Sequence, residues 1–156
     1  MMRFVRLPAV ILQKRALSGV DLTGSNLTAA RLAASDLSGP DVRPAADAFA
    51  NRRLAGLRAG GIRAIEVDFS GSLLTGATFR RADLRGAVFK GCDLRGASFV
   101  DCQLAFSDFS GTVMGAVRKA GGAEFFTDFS DANVTGAVFD APPPAASRPL
   151  ELDLAC

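Results

Sequence analysis

Histidine, tryptophan and tyrosine are absent from this 156-residue chain, so phenylalanine carries all of its aromatic content. Without histidine the chain lacks the commonest general base, proton shuttle and zinc ligand. Its three cysteines, Cys92, Cys102 and Cys156, are fewer than the ~4 thiolates that would have to hold zinc alone. They are also too few and too scattered for a disulfide framework. Charge of one sign is missing as well: 18 Lys and Arg against 16 Asp and Glu leave +2, which implies no strongly electrostatic partner. No apolar run approaches the ~20 residues of a membrane-spanning helix. The apolar stretch near the N-terminus stops at Leu12, with Gln13, Lys14 and Arg15 directly behind it. That reads as a folded cap over residues 1–14 and gives no clear signal peptide. No glycine-rich phosphate loop opens a helix. These absences point away from an enzyme, and no cofactor or metal site is expected.

What the chain does have is a period of five. Leu17, Leu22, Leu27, Leu32, Leu37 and Val42 form one run of large apolar residues. Phe69, Leu74, Phe79, Leu84, Phe89, Leu94, Phe99, Leu104, Phe109 and Met114 form a second, which Phe129, Val134 and Phe139 resume in phase. Five fits neither the helical period of 3.6 nor the strand period of 2, so the pattern marks an internal repeat. Call each large residue the centre of its repeat. Two places before it stands a small residue, as at Ser72, Ala77, Ala82, Ala87, Cys92, Ala97, Cys102 and Ser107, while its neighbours are mostly polar or Gly. One large and one small inward residue in every five describe a chain that turns a corner at each repeat.

Ala82-Asp83-Leu84-Arg85-Gly86, Cys92-Asp93-Leu94-Arg95-Gly96 and Ser25-Asn26-Leu27-Thr28-Ala29 resemble the pentapeptide-repeat family, whose pattern is A-(D/N)-(L/F)-x-x. The resemblance implies an all-β fold, a right-handed quadrilateral parallel β-helix in which four repeats make one coil and coils rise by ~4.8 Å. In such a coil Phe69, Phe79, Phe89, Phe99, Phe109, Phe129 and Phe139 stack on two opposite sides. Leu74, Leu84, Leu94 and Leu104 stack on the other two, each column burying apolar area against the next coil. Asp83 and Asp93 then face away from one another, and Cys92 and Cys102 are inward fillers. Some members of the family mimic duplex DNA with an acidic rod and bind type II topoisomerases. Here residues 67–140 hold nine acids against seven bases, a poor match to such a rod.

Two stretches interrupt the repeat. Val42 and Phe69 are 27 residues apart, not a multiple of five. Pro44, an Ala-rich segment and the Gly60-Gly61 stop predict a short helical excursion within residues 43–66, with Phe49, Leu54 and Leu57 on one face. Within 115–127 the centres would be Lys119 and Glu124, which do not belong in a core, so an outward bulge is expected there. The expected organisation is thus an N-terminal cap (1–14), first repeats (15–42), the excursion (43–66), main repeats (67–140) and a C-terminal tail or cap (141–156).

Arg80, Arg85, Lys90 and Arg95 fall one per side and ring the coil, whereas tracking of phosphates favours a stripe; direct nucleic-acid binding is not expected. Phe106 and Phe126, twenty residues apart, are expected in one outward column, with Val100 and Phe125 beside them. Exposed aromatics of this kind mark docking sites, and the Phe49–Leu54–Leu57 face is a second candidate. The expected function is a non-enzymatic structural or protein–protein interaction module, an accessory subunit of a larger assembly such as a photosynthetic or other membrane-associated complex. The alternative is a DNA-mimic inhibitor or protector of a type II topoisomerase. Similar repeats occur in bacterial cytoplasm and in the thylakoid lumen, which leaves localisation open between the two.

Overall fold

The computed structural model describes Lys14, Ala16 and residues 49–142. The remainder of the expected N-terminal cap and first repeats, residues 43–48 and the tail from 143 lie outside the described residues.

From residue 49 onward the chain winds into stacked four-sided coils. Parallel bridges join residues twenty apart at every repeat, from Arg53↔Leu73 through Thr78↔Ser98 to Asp93↔Val113. Five residues per repeat and twenty per coil make four sides. The bridging residue is always the one just before a centre. Its N–H and C=O both reach the coil before, on either side of its partner there. Thr78 N donates to Leu57 O at 2.8 Å, and Thr78 O accepts from Ala59 N at 2.7 Å, so the pair of bonds straddles Arg58.

Each corner is a turn. The centre's carbonyl accepts from the N–H three residues on, as Leu74 O does from Ala77 N at 2.9 Å. The residue two after the centre takes positive φ, +66° at Gly76, as the third position of a type II turn requires. This is why Gly recurs there. It is also why Phe106 at φ +61° stands out among the polar and charged residues, such as Asn51, Glu66 and Asp101, that fill the other non-glycine corners.

The core consists of columns. Phe69, Phe89 and Phe109 stack at 4.8 and 4.9 Å between ring centroids; Phe79, Phe99 and Phe129 stack at 5.2 and 5.0 Å on the opposite side. The two columns meet edge to face across the middle, as Phe89 and Phe99 do at 5.3 Å. Offset stacks and edge-on contacts suit the ring quadrupole, and each such pair contributes ~0.5–1.5 kcal/mol beyond its buried area. Leu74 and Leu94 fill one remaining side, Leu84 and Leu104 the other, all fully buried. Phe139 stacks on Phe109 at 4.8 Å and is partly buried.

Two expectations about the interruptions need correction. No helix occurs among the described residues of the 43–66 segment: Arg53, Arg58 and Arg63 bridge to the next coil, so residues 49–66 are β-helix repeats. The register is hidden because large and small residues change places. In Leu57-Arg58-Ala59 and Ile62-Arg63-Ala64 the large side chain stands two before the centre and Ala occupies the centre itself, and all four of these apolar residues are buried. The second run therefore begins at Phe49, which stacks on Phe69 at 5.3 Å.

The other correction concerns phase. Residues 115–127 contain an antiparallel hairpin of two short strands, β1 (Ala116–Arg118) and β2 (Glu124–Phe126). It adds ten residues to one corner, since the ladder spacing changes from twenty at Asp93↔Val113 to thirty at Ser98↔Asp128. An insert of two whole repeats preserves the sequence phase while shifting the coil by two sides. Phe129 consequently stacks on Phe99 and meets Phe109 only edge-on, at 5.3 Å.

Candidate interaction surface

Phe106 follows the centre Leu104 by two residues, at the outermost point of its corner. It is 73% exposed. Its ring leans over Gly136 in the next coil, where a Cβ would lie 2.6 Å from Phe106 Cδ1; only a glycine above leaves it room. Below it, Ala105, Gly86, Arg85, Ile65 and Glu66 line a shallow groove along the same corner.

The hairpin leaves a different corner, the one after Met114. Thr127 anchors its base: buried, it accepts from Gly115 N at 3.0 Å and donates to Leu94 O at 2.8 Å. The hairpin then lies against Gly96, where a Cβ would overlap Val117 and approach Phe125 O to 3.1 Å. Arg118 and Glu124 pair at 2.6 Å, and Lys119 Nζ sits 4.4 Å from the centroid of the Phe125 ring. Phe125 and Phe126 remain half exposed.

The anticipated single patch is thus divided. Because of the ten-residue insert, Phe126 shares no column with Phe106. Their corners follow opposite sides of the coil, and Val100, half-buried, sits on the corner preceding that of Phe106. Phe49, Leu54 and Leu57 are wholly buried core residues and form no docking face. Sequence reasoning misses four exposed apolar residues, Ile65, Leu73, Val113 and Val138. The signal of the last three is legible in retrospect, for each occupies the place before a centre where the repeat pattern carries Asp or Asn.

The remaining polar groups stitch the scaffold. Asp83 and Asp93 each take a bidentate pair of bonds from the arginine two residues on, at 2.7–2.8 Å for Arg85 and 2.6–2.9 Å for Arg95. These bonds hold both carboxyls below their ordinary range. Asp108 is likewise lowered, first by Ser110 and also by Lys90, 3.2 Å away. Most of the basic ring is thereby neutralised in place. Cys92 Sγ donates to Phe69 O at 3.0 Å and Cys102 Sγ to Phe79 O at 2.8 Å. Burial pushes these thiols up to about 11 and about 12, so neither is a nucleophile near neutrality. Among the described residues no group of His, Cys, Asp or Glu could hold a metal ion, and no helix is long and apolar enough to cross a membrane.

Comparison with known proteins identifies the repeat. Pentapeptide repeats are matched in eight copies, over residues 12–42 and 65–99. No curated protein matches the chain. Among solved structures it is similar to the pentapeptide repeat protein Rfr23 from the cyanobacterium Cyanothece 51142, with 22% identity, 88% of this chain and 90% of that one covered, and a TM-score of 0.42. It is also similar to HetL of Nostoc sp. strain PCC 7120, a pentapeptide repeat protein involved in heterocyst differentiation regulation (16% identity, 94% and 92% covered, TM-score 0.31). A third is QnrB1, a plasmid-mediated fluoroquinolone resistance protein (10% identity, 89% and 91% covered, TM-score 0.38). The five-residue repeats of residues 12–42 and 65–99 are thus pentapeptide repeats, and the fold is the right-handed, four-sided β-helix that such repeats form.

Proposed function

We propose that the chain is a non-enzymatic protein-interaction module, an accessory subunit of a larger assembly, which docks through the Phe106 corner with the hairpin as a second contact. The observation that carries this reading is Phe106 itself. An aromatic residue in the left-handed region is strained, and one that is 73% exposed recovers little by burial. A residue that costs stability in both respects is explained by what it contacts, and rigid aromatics on a fixed scaffold are frequent interface anchors. The groove beside it, with Ile65 and Ala105 as apolar walls, gives a partner side chain somewhere to rest.

The DNA-mimic reading draws no support from the described surface. Every side carries bases or apolar residues among its acids, as in the series Arg53, Leu73, Asp93, Val113 along one ladder.

The test is affinity capture from the native source of wild type, Phe106→Asp and Phe125→Ser/Phe126→Ser proteins, with circular dichroism showing all three folded. A partner retained by wild type and lost by Phe106→Asp is expected. Equal capture by all three, or capture of nothing, would count against the module reading.

A further inference from the structure

One corner of the coil is segregated by charge in a way the others are not. It follows the centres Ala59, Phe79, Phe99 and Phe129, and its residues stack through Gly61 N–Arg80 O, Arg81 N–Val100 O and Asp101 N–Ser130 O hydrogen bonds. Read upward, the corner carries Gly60-Gly61, Arg80-Arg81, Val100-Asp101 and Ser130-Asp131. The adjoining ladder carries Arg58, Thr78, Ser98 and Asp128. Bases occupy the lower two coils and acids the upper two.

Elsewhere opposite charges pair within one repeat or between neighbouring coils, as in Asp83–Arg85, Asp93–Arg95 and Lys90–Asp108. On this corner the contact between Arg81 and Asp101 is long, 4.0 Å. Arg80 and Asp131 are exposed and make no ion pair among the described residues. Beneath the two arginines the missing side chains of Gly60 and Gly61 leave a notch, which Arg80 and Arg81 overhang.

We propose that this corner is an isologous contact with a second copy of the chain, packed side by side and antiparallel. A two-fold axis across the corner sets the first coil opposite the fourth and the second opposite the third. Asp131 of one copy then enters the Gly61 notch under Arg81 of the other. Arg81 faces Asp101, Arg58 faces Asp128, and the aliphatic stem of Arg80 crosses Val100. Every charged residue meets an unlike charge or a neutral residue. A parallel pairing would set arginine on arginine and aspartate on aspartate. The requirement of a two-fold interface, that residue i meets j while j meets i, is therefore written into the order of charges along the rod. Four coils span only about 15 Å of the rod, so a contact along one corner is small beside the interface of a permanent dimer. The contact is thus weak, reversible and sensitive to salt. It uses neither Phe106 nor the hairpin, so it stands or falls apart from the function proposed above.

The experiment is sedimentation of the full chain over a concentration series at low and high salt. Three proteins are compared: wild type, Arg80→Glu/Arg81→Glu, and Asp101→Lys/Asp131→Lys. Folding is checked by circular dichroism. Wild type is expected to self-associate, with a dissociation constant rising at least about tenfold between roughly 0.05 and 0.5 M salt. Each variant alone is expected to be monomeric, and an equimolar mixture of the two to associate, because opposite corners are again presented. A monomeric wild type, association that survives the charge reversals, or a mixture that stays monomeric would overturn the proposal.

Discussion

Gly76 and Gly96 occupy the same corner one coil apart, with φ of +66° and +69°. Only Gly96 lies under the hairpin. A Cβ on Gly76 meets nothing within 4 Å, whereas one on Gly96 overlaps Val117 Cγ1 and comes 3.1 Å from Phe125 O. Alanine at either site bears the left-handed cost of ~1–2 kcal/mol, offset by ~0.4–1 kcal/mol from the reduced freedom of the unfolded chain. Gly76→Ala is therefore expected to destabilise by about 0.5–1 kcal/mol. Gly96→Ala adds overpacking of ~1–3 kcal/mol, because a backbone carbonyl cannot simply swing aside. In Gly96→Ala/Val117→Ala part of that addition should return, since the overlapping methyl is gone while the carbonyl stays. Urea denaturation followed by circular dichroism measures all three. Equal destabilisation by Gly76→Ala and Gly96→Ala would show that the hairpin does not rest on this corner.

Phe99, wholly buried and stacked between Phe79 and Phe129, should cost about 3–5 kcal/mol when replaced by Ala, or roughly 6–20 °C in thermal midpoint; a loss under about 1 kcal/mol would refute the column packing. Asp83, Asp93 and Asp108 have carboxyls lowered in the folded state. As pH falls to about 4 and below, the unfolded chain therefore takes up protons first. The stability these groups contribute should be full above that range and be lost as pH drops through the folded values. Denaturation midpoints measured from about pH 6 to pH 2 check this, and Asp83→Asn/Asp93→Asn should flatten the fall. Cys92 and Cys102 should resist a thiol reagent at neutral pH until denaturant is added; prompt labelling of the native protein at either would contradict their burial.

Much of the architecture is legible because the repeat forces it. A large residue every fifth place, with a small one two before it, marks a chain that turns a corner at each repeat. The resemblance to the pentapeptide-repeat family implies four sides, and given four sides the Phe columns follow from the alternation of Phe and Leu. What escapes the pattern does so for definable reasons. Leu57-Arg58-Ala59 and Ile62-Arg63-Ala64 keep the inward volume while exchanging its two places, so a search for large centres passes over them. Phe49, Leu54 and Leu57 then mimic a helical face. The hairpin hides in the opposite way, because an insert of ten leaves the period of five intact. Spacing alone assigns Phe126 to the column of Phe106, although the longer corner carries it across the coil. The charge order along the Arg80–Asp131 corner is invisible in the linear sequence, since only stacking brings residues twenty or thirty apart into one line.

The most direct test of the interaction role is to measure stability and partner retention together in Phe106→Gly. Glycine removes the aromatic and relieves the strain at φ +61°. If Phe106 is held in place for a partner, the variant should melt no lower than wild type while its affinity for the captured partner falls at least about tenfold, as loss of an interface anchor does. Undiminished binding by a folded Phe106→Gly protein would contradict the account.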